Sequence, residues 1–123
     1  MGHVLVIEDE EHNRFLICKI LETAGHIVIE AGDGTEGLHI LKTRYEPFAL
    51  IVLDIRLPKM DGFEFLFRLR RQERSLLPVL ILTAHRNLCA KAEEYGADGC
   101  LIKPFKRKSL LDKVNHLTDT HMH

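Results

Sequence analysis

Five short apolar runs divide the chain, and each run is continuous rather than alternating with polar residues. They cover residues 4–7, 27–29, 50–53, 79–82 and 100–102. Continuous runs of this length are typical of strands that are buried on both faces of a parallel sheet. The sequence therefore predicts five parallel strands with helices covering both sides.

Segments with helical spacing follow these runs, so strand and helix alternate five times. The first segment has one apolar face and stops at Gly25, and the second starts after the Asp33-Gly34 turn. The third and fourth helices are predicted over residues 63–73 and 86–95. The apolar markers of the first, second and fifth helices are Leu16, Ile17, Ile20, Leu21 and Ala24, then Leu38, Ile40 and Leu41, then Leu110, Leu111, Val114 and Leu117.

Right-handed crossovers assemble this alternation into an α/β fold, a single (βα)5 doubly wound sandwich. The usual order of five such strands is 2-1-3-4-5, in a parallel sheet flanked by five helices. A chain of 123 residues that is 46% hydrophobic can form a core without disulfides or metal. We predict one domain over residues 1–123, with an ordered core at about 3–119 and a tail at 120–123.

Charge, hydropathy and cysteine content restrict the class of protein. The net charge is −1, so the overall balance gives no sign of a nucleic acid partner. The apolar runs are too short to cross a membrane, and no leader pattern opens the chain. Cys18, Cys89 and Cys100 lack zinc-site spacing, which predicts reduced thiols. We expect a cytoplasmic protein without direct contact to nucleic acid or membrane, as a monomer or weak dimer.

Polar residues follow four of the predicted strands. Glu8 and Asp9 follow the first, Asp54 the third, Thr83 the fourth and Lys103 the fifth. These strands are neighbours in the predicted order, about 4.8 Å apart, and ligands of such sheets bind beyond the carboxyl ends of the strands. Five residues that are distant in sequence should therefore converge on one rim.

Three carboxylates on one rim need a counter-charge, because two unit charges 4 Å apart repel by about 4 kcal/mol at an effective dielectric near 20. Their hard oxygen ligands match Mg²⁺, which keeps waters and accepts phosphate as a further ligand. With Lys103 and Thr83, the cluster would clamp three phosphoryl oxygens. Asp54 lies at the centre and is a candidate nucleophile.

The motifs that carry these residues resemble the receiver domains of two-component response regulators. The matching segments are VLVIEDE (4–10), LIVLDIRLPKMDG (50–62), LILTA (80–84) and LIKPF (101–105). The resemblance covers almost the whole chain, and the joint pattern is highly specific. It implies a cytoplasmic phosphoacceptor in a phosphorelay rather than an enzyme with a separate substrate. Such a domain assists its own phosphorylation and dephosphorylation.

The resemblance also implies the roles of individual residues. Asp54 would accept a phosphoryl group from a phosphohistidine of a histidine kinase or histidine phosphotransfer protein. Glu8 and Asp9 would hold Mg²⁺ together with Asp54 and the backbone carbonyl of Arg56.

For the switch itself, the resemblance implies that Thr83 moves toward the phosphoryl oxygens while Lys103 pairs with them. The face formed by the fourth helix, fifth strand and fifth helix would then change and act on a downstream effector domain or protein. The Lys103-Pro104 bond would be cis.

Three positions depart from the family pattern or modulate it. Cys100 stands where the family usually has an aromatic switch residue, and we expect it to be a small buried apolar residue. Arg56 and His85 lie two residues after Asp54 and Thr83, where they would tune access of hydrolytic water. They predict an atypical lifetime of the phosphoryl group.

Two phenylalanines lie off the apolar faces of their helices. Phe15 is nearly opposite the apolar face of the first helix, so it should be exposed and available for docking of the kinase or phosphotransfer helix. Phe67 should point outward from the third helix in the same way.

Three alternatives stay open from the sequence. A haloacid-type phosphatase would need Asp-x-Asp after the first strand, where residues 8–10 read Glu-Asp-Glu. A flavodoxin-like electron carrier would need a donor-rich phosphate loop in place of these acids. A receiver-like interaction module that is not switched by phosphorylation would explain the missing aromatic residue at Cys100.

Overall fold

The computed structural model describes residues 2–57, 59–72 and 76–121, and its description excludes the side chains of residues 120 and 121. Strands and helices alternate along the chain as predicted. The strands are β1 (His3–Ile7), β2 (Ile27–Ala31), β3 (Phe48–Asp54), β4 (Val79–Thr83) and β5 (Gly99–Ile102). The helices are α1 (Glu11–Thr23), α2 (Gly34–Thr43), α3 (Gly62–Leu69), α4 (Leu88–Glu94) and α5 (Arg107–His121).

The five strands form one parallel sheet in the order β2-β1-β3-β4-β5, which confirms the predicted topology. The apolar runs are continuous because each face of the sheet has its own core. Leu5 and Ile7 of β1 face the cluster formed with α2, α3 and α4. Val4 and Val6 face the cluster formed with α1 and α5. All four side chains are fully buried.

Acidic side chains fix the beginnings of three helices. Glu10 accepts hydrogen bonds from the backbone N–H groups of the first turn of α1. Asp33 and Asp61 cap α2 and α3 in the same way, each accepting from the N–H three residues later. These caps satisfy donors that have no partner within the helix.

Two details of the helix predictions are wrong. Leu16 is 45% exposed and Ala24 is exposed, so the buried face of α1 is carried by Ile17, Cys18 and Leu21. This happens because the contact of α1 with the sheet is narrower than the apolar stripe. The third helix ends at Leu69 rather than at residue 73, which lies outside the described residues.

The prediction of reduced thiols is wrong for two of the three cysteines. Cys89 of α4 and Cys100 of β5 form a disulfide, with their Cα atoms 5.7 Å apart. The two elements are consecutive in the chain and pack against each other, which brings both residues within disulfide distance. Cys100 is therefore half-buried and bridged rather than a free apolar residue, while Cys18 is a buried free thiol.

None of the helices among the described residues is both long enough and apolar enough to cross a membrane.

Candidate functional site

The register of the sheet places the predicted site residues side by side. Ile7 of β1 pairs with Leu53 of β3, so the next residues, Glu8 and Asp54, lie beside each other at the carboxyl edge. The side chain of Glu8 is almost completely buried, and Asp54 is 9% exposed. Two carboxyl groups are thus held together where little water can solvate them.

The remaining strands bring Thr83 and Lys103 to the same edge. Asp54 pairs with Leu82, and Thr83 pairs with Ile102, so each site residue lies one position from its neighbour. The backbone N–H of Lys103 donates to the carbonyl oxygen of Thr83 over 2.8 Å. The predicted cis bond before Pro104 follows directly.

One ammonium group lies between the two buried carboxylates. The Nζ atom of Lys103 donates to Oδ2 of Asp54 over 3.1 Å and to Oε1 of Glu8 over 3.2 Å. The other oxygens accept backbone N–H donors, from Arg56 to Asp54 and from Glu10 to Glu8. The carboxylates are thereby fixed in orientation by the chain's own donors.

The pKa values of the site reflect burial first and the neighbouring charges second. Burial, followed by the adjacent Asp54 carboxylate, raises the pKa of Glu8 to about 7. Burial opposes the charge of Lys103, but the Asp54 and Glu8 carboxylates outweigh it, so the pKa of Lys103 is raised. Glu8, Asp9 and Asp54 bring three carboxylates beside the Lys103 ammonium, and a proton or a cation would reduce their mutual repulsion.

The donor set fits a magnesium ion. Glu8, Asp9 and Asp54 each offer a carboxylate oxygen, and these three atoms lie within 4.8 Å of one another. Mg²⁺ is usually held through one or two carboxylates and keeps several waters, so a group of nearby carboxylate oxygens suits it. All three are hard oxygen ligands, which Mg²⁺ prefers over softer donors.

Thr83 and its neighbours form the rim of the site. The hydroxyl of Thr83 accepts a hydrogen bond from the backbone N–H of His85 over 3.0 Å. The side chains of His85 and Arg56 are exposed. The residues predicted to modulate the site therefore lie at its solvent side, while Thr83 itself is buried.

An apolar groove of about 400 Å³ adjoins the acidic cluster, with Lys103 lining both. Its wall on α1 includes Leu16 and Ile20, and its wall beyond β5 includes Phe105. Phe15, next to Leu16 on α1, is 59% exposed as predicted. Phe67 on α3 is 51% exposed, which also agrees with its predicted outward position.

Two contacts at the site have no counterpart in the sequence analysis. The guanidinium of Arg14 donates to the backbone carbonyl of Glu8 over 2.8 Å and pairs with Glu30, which ties the end of β1 to α1 and β2. The Cys89–Cys100 bridge is the second. The sequence could have indicated this bridge, because one cysteine lies in a predicted helix and the other in the strand that follows it.

Comparison with known proteins agrees with this geometry. Residues 4–115 match the family model described as the response regulator receiver domain. The chain is 41% identical over 120 residues to the DNA-binding dual master transcriptional regulator RpaA of Synechocystis, which covers 95% of this chain and 49% of the relative. It is 41% identical over 113 residues to the alkaline phosphatase synthesis transcriptional regulatory protein PhoP of Bacillus subtilis, covering 90% of this chain and 46% of that protein. It thus spans about half the length of these relatives.

Among solved structures, the chemotaxis response regulator CheY4 of Vibrio cholerae superposes with a TM-score of 0.87 at 32% identity, over 95% of this chain and 98% of that one. The chain therefore belongs to the response regulator receiver domain family. Receiver domains of two-component systems are phosphorylation switches, and response regulators interact with histidine kinases and effector domains.

Proposed function

We propose that Asp54 is the phosphoacceptor of this receiver domain, and that the donor is a phosphohistidine of a histidine kinase or histidine phosphotransfer protein. The main support is the position of Asp54, 3.1 Å from the Lys103 ammonium and close to the carboxylate oxygens of Glu8 and Asp9. Phosphoryl transfer requires little covalent help from the protein beyond positioning and neutralisation of charge. This edge of the sheet positions Asp54 and supplies part of the positive charge through Lys103.

In the proposed step, a carboxylate oxygen of Asp54 attacks the phosphorus in line with the P–N bond of the phosphohistidine. That bond breaks, its electron pair stays on the histidine nitrogen, and an acyl phosphate forms on Asp54. Lys103, already 3.1 Å from Asp54, pairs with the new phosphoryl oxygens. The domain thus acts on itself rather than as an enzyme on a separate substrate.

Glu8, Asp9, Asp54 and the backbone carbonyl of Arg56 would hold Mg²⁺ for this step. The ion would supply positive charge for the phosphoryl oxygens that Lys103 alone does not neutralise. The grouping of three carboxylates beside the Lys103 ammonium supports this assignment.

Thr83 would couple phosphorylation to the output face. Its hydroxyl would give up the hydrogen bond from the N–H of His85 and donate to a phosphoryl oxygen instead. The face formed by α4, β5 and α5 would then change its conformation. A downstream effector domain or protein would read this face. The curated relatives are regulators of transcription by name, so an effector of transcription is one candidate.

The groove beside Lys103 is the proposed docking place of the phosphohistidine helix. Phe15 and Leu16 offer exposed apolar surface on α1, and the groove leads to the site through Lys103. A helix lying there would bring its histidine to Asp54. Arg56 and His85 would then control access of water to the acyl phosphate, and thus its lifetime. Phosphoryl donors of this kind receive their phosphoryl group inside the cell, so we place the domain in the cytoplasm.

Intact-mass analysis after incubation with Mg²⁺ and acetyl phosphate tests the proposal. We expect a gain of one phosphoryl group in the wild type, none in Asp54→Asn and none when EDTA removes the metal. Asp61→Asn is the matched control, because asparagine keeps the cap of α3. A phosphoryl group that persists in Asp54→Asn would contradict the assignment. Steady release of phosphate from simple monoesters would favour the haloacid-type phosphatase.

A further inference from the structure

The disulfide between Cys89 and Cys100 joins the two elements that the proposed switch has to move. Cys89 lies in the first turn of α4, and Cys100 lies in β5 opposite Ile81 of β4. Both residues are half-buried, so they lie at the edge of the core rather than within it. The covalent tie therefore crosses the output face itself.

Three hydrogen bonds and the backbone that connects them lead from the buried threonine to this tie. Thr83 accepts from the N–H of His85, whose carbonyl accepts from the N–H of Leu88 over 3.0 Å. The carbonyl of Arg86 accepts from the N–H of Cys89 over 3.2 Å. A displacement of Thr83 toward a phosphoryl group would thus reach the first turn of α4 within six residues.

The disulfide closes a ring through the site. From Cys100 the chain runs along β5 to Lys103, whose N–H donates to the carbonyl of Thr83 over 2.8 Å. From Thr83 the loop of residues 84–87 leads to Cys89 and through the bridge back to Cys100. A closed ring of this kind resists a change in which Thr83 and α4 move relative to β5.

The two ends of α4 are held by different contacts. The turn after α4 is fixed by Arg70, whose guanidinium donates to the carbonyl of Gly96 and pairs with Asp98 over 3.1 Å. The first turn of α4 has no side-chain cap, because Asn87 makes no capping hydrogen bond. This end is held by the turn hydrogen bonds of Leu88 and Cys89, by the packing of Leu88 on the core and by the disulfide.

We propose that Cys89 and Cys100 form a reversible dithiol–disulfide couple, in which the disulfide locks the α4–β5 face and the dithiol frees it to respond to phosphorylation. This gating rests on the proposed phosphorylation of Asp54. Disulfides in reducing compartments are usually transient or redox-sensing, which agrees with the proposed cytoplasmic location.

The redox step is an exchange with a low-molecular-mass disulfide such as oxidised glutathione. One protein thiolate attacks the reagent, releases one thiol and forms a mixed disulfide, which the second protein thiolate then displaces. Two protein thiols lose two electrons and two protons in total, and the reagent is reduced to two thiols. Cys18 is excluded from this exchange because it is buried, and burial raises the pKa of its thiol to about 12.

Alkylation in glutathione redox buffers, followed by intact mass, tests the couple on the folded chain. We expect two added alkyl groups in reducing buffer and none in oxidising buffer, with a single transition between them. Cys18→Ala is the matched control and should give the same result. In the Cys89→Ser variant, the unpaired Cys100 should take up one alkyl group once any glutathione attached to it has been removed. A chain that stays fully alkylated, or fully protected, across the whole redox range overturns the proposal.

Hydrogen exchange of residues 84–94 tests the gating, with acetyl phosphate and Mg²⁺ present or absent. In reducing buffer we expect phosphorylation to change exchange in this segment by about threefold or more, and in oxidising buffer by much less. The double variant Cys89→Ser with Cys100→Ser should respond like the reduced protein in both buffers. Equal responses of the wild type in both buffers overturn the gating. Failure to phosphorylate Asp54 in either buffer overturns the proposed function and the gating with it, while alkylation still decides the couple.

Discussion

The Nζ atom of Lys103 lies 3.1 Å from Oδ2 of Asp54, although 49 residues separate them. The same ammonium reaches Glu8, so one cation joins two buried carboxylates at the ends of neighbouring strands. A buried charge that loses its partner is costly, since little water is present to replace it. The stability of this edge should therefore depend on Lys103, on pH and on divalent ions.

Replacement of Lys103 by methionine tests that dependence directly. We expect Lys103→Met to lose about 2–4 kcal/mol of unfolding free energy at pH 8, because both carboxylates stay buried without their cation. The loss should shrink at pH 5.5, where Glu8 is protonated, and Mg²⁺ should restore part of it by binding the folded state. Urea unfolding followed by circular dichroism measures this, since the chain has no tryptophan.

Lys108→Met is the matched control for the lysine prediction. Lys108 pairs with Asp112 on the exposed surface of α5, where both side chains are well solvated. We expect little change in stability and no dependence on Mg²⁺. An equal loss in the two variants would show that the position of Lys103 between the carboxylates has no special role.

The raised pKa of Glu8 predicts a pH dependence of stability in the absence of metal. A carboxyl group with a higher pKa in the folded than in the unfolded state binds protons more strongly when folded. Its contribution is complete below its ordinary pKa of 4.5 and is lost as pH rises to about 7. Unfolding free energy in EDTA should fall across this range by at most about 1.4 kcal/mol per pH unit.

Glu8→Gln isolates this effect, because glutamine is similar in size and does not titrate. Urea unfolding between pH 5 and 8 should then show a flatter profile than the wild type. With saturating Mg²⁺, which binds the deprotonated carboxylates, the fall in the wild type should diminish or reverse. Parallel profiles of the two proteins in EDTA would contradict the raised pKa of Glu8.

The docking proposal predicts a selective defect in Phe15→Ala. Because Phe15 is 59% exposed, the variant should keep its stability and its reaction with acetyl phosphate. Transfer from a phosphorylated histidine protein that is active on the wild type should slow by about tenfold, as expected when an aromatic contact residue is lost. Phe67→Ala is the control, since Phe67 is 51% exposed on α3, across the sheet from α1. Equal slowing in both variants would argue against docking on α1.

The turn after Asp54 predicts a strict requirement for glycine at position 62. A Cβ atom there would lie 2.8 Å from Cα of Ile55, and the N–H of Gly62 donates to the carbonyl of Ile55 over 2.9 Å. Backbone atoms cannot move aside, so we expect Gly62→Ala to lose about 1–3 kcal/mol of stability. Phosphorylation should slow as well, because Ile55 follows Asp54, the proposed acceptor. Gly32→Ala, whose Cβ would meet atoms no nearer than 3.7 Å, should change the melting temperature little.

Much of the site can be predicted from short segments of the sequence, each read separately. Strand ends can be read from continuous apolar runs, and the acids, threonine and lysine stand directly after those runs. Given parallel strands in the order 2-1-3-4-5, these residues meet at one edge. The exposure of Phe15 follows from helical periodicity in the same way.

Other features depended on packing that no periodicity encodes. The apolar stripe of α1 predicts a buried Leu16, but the helix contacts the sheet through a narrower face and Leu16 lines a groove instead. The sequence also does not indicate that α3 ends at Leu69, because the residues after Leu69 keep a composition that is typical of helices. Local propensity is a weak guide when tertiary contacts compete with it.

The sequence by itself determined the alternation of strands and helices. A strand buried on both faces gives a continuous apolar run, whereas a helix buried on one face gives apolar residues at helical spacing. It also determined which polar residues lie at the edge of the sheet. Only the tertiary structure decided that Lys103 bridges both Glu8 and Asp54, and that Cys89 meets Cys100. Those contacts depend on the distance and orientation of side chains from different elements, which are set when the helices pack on the sheet.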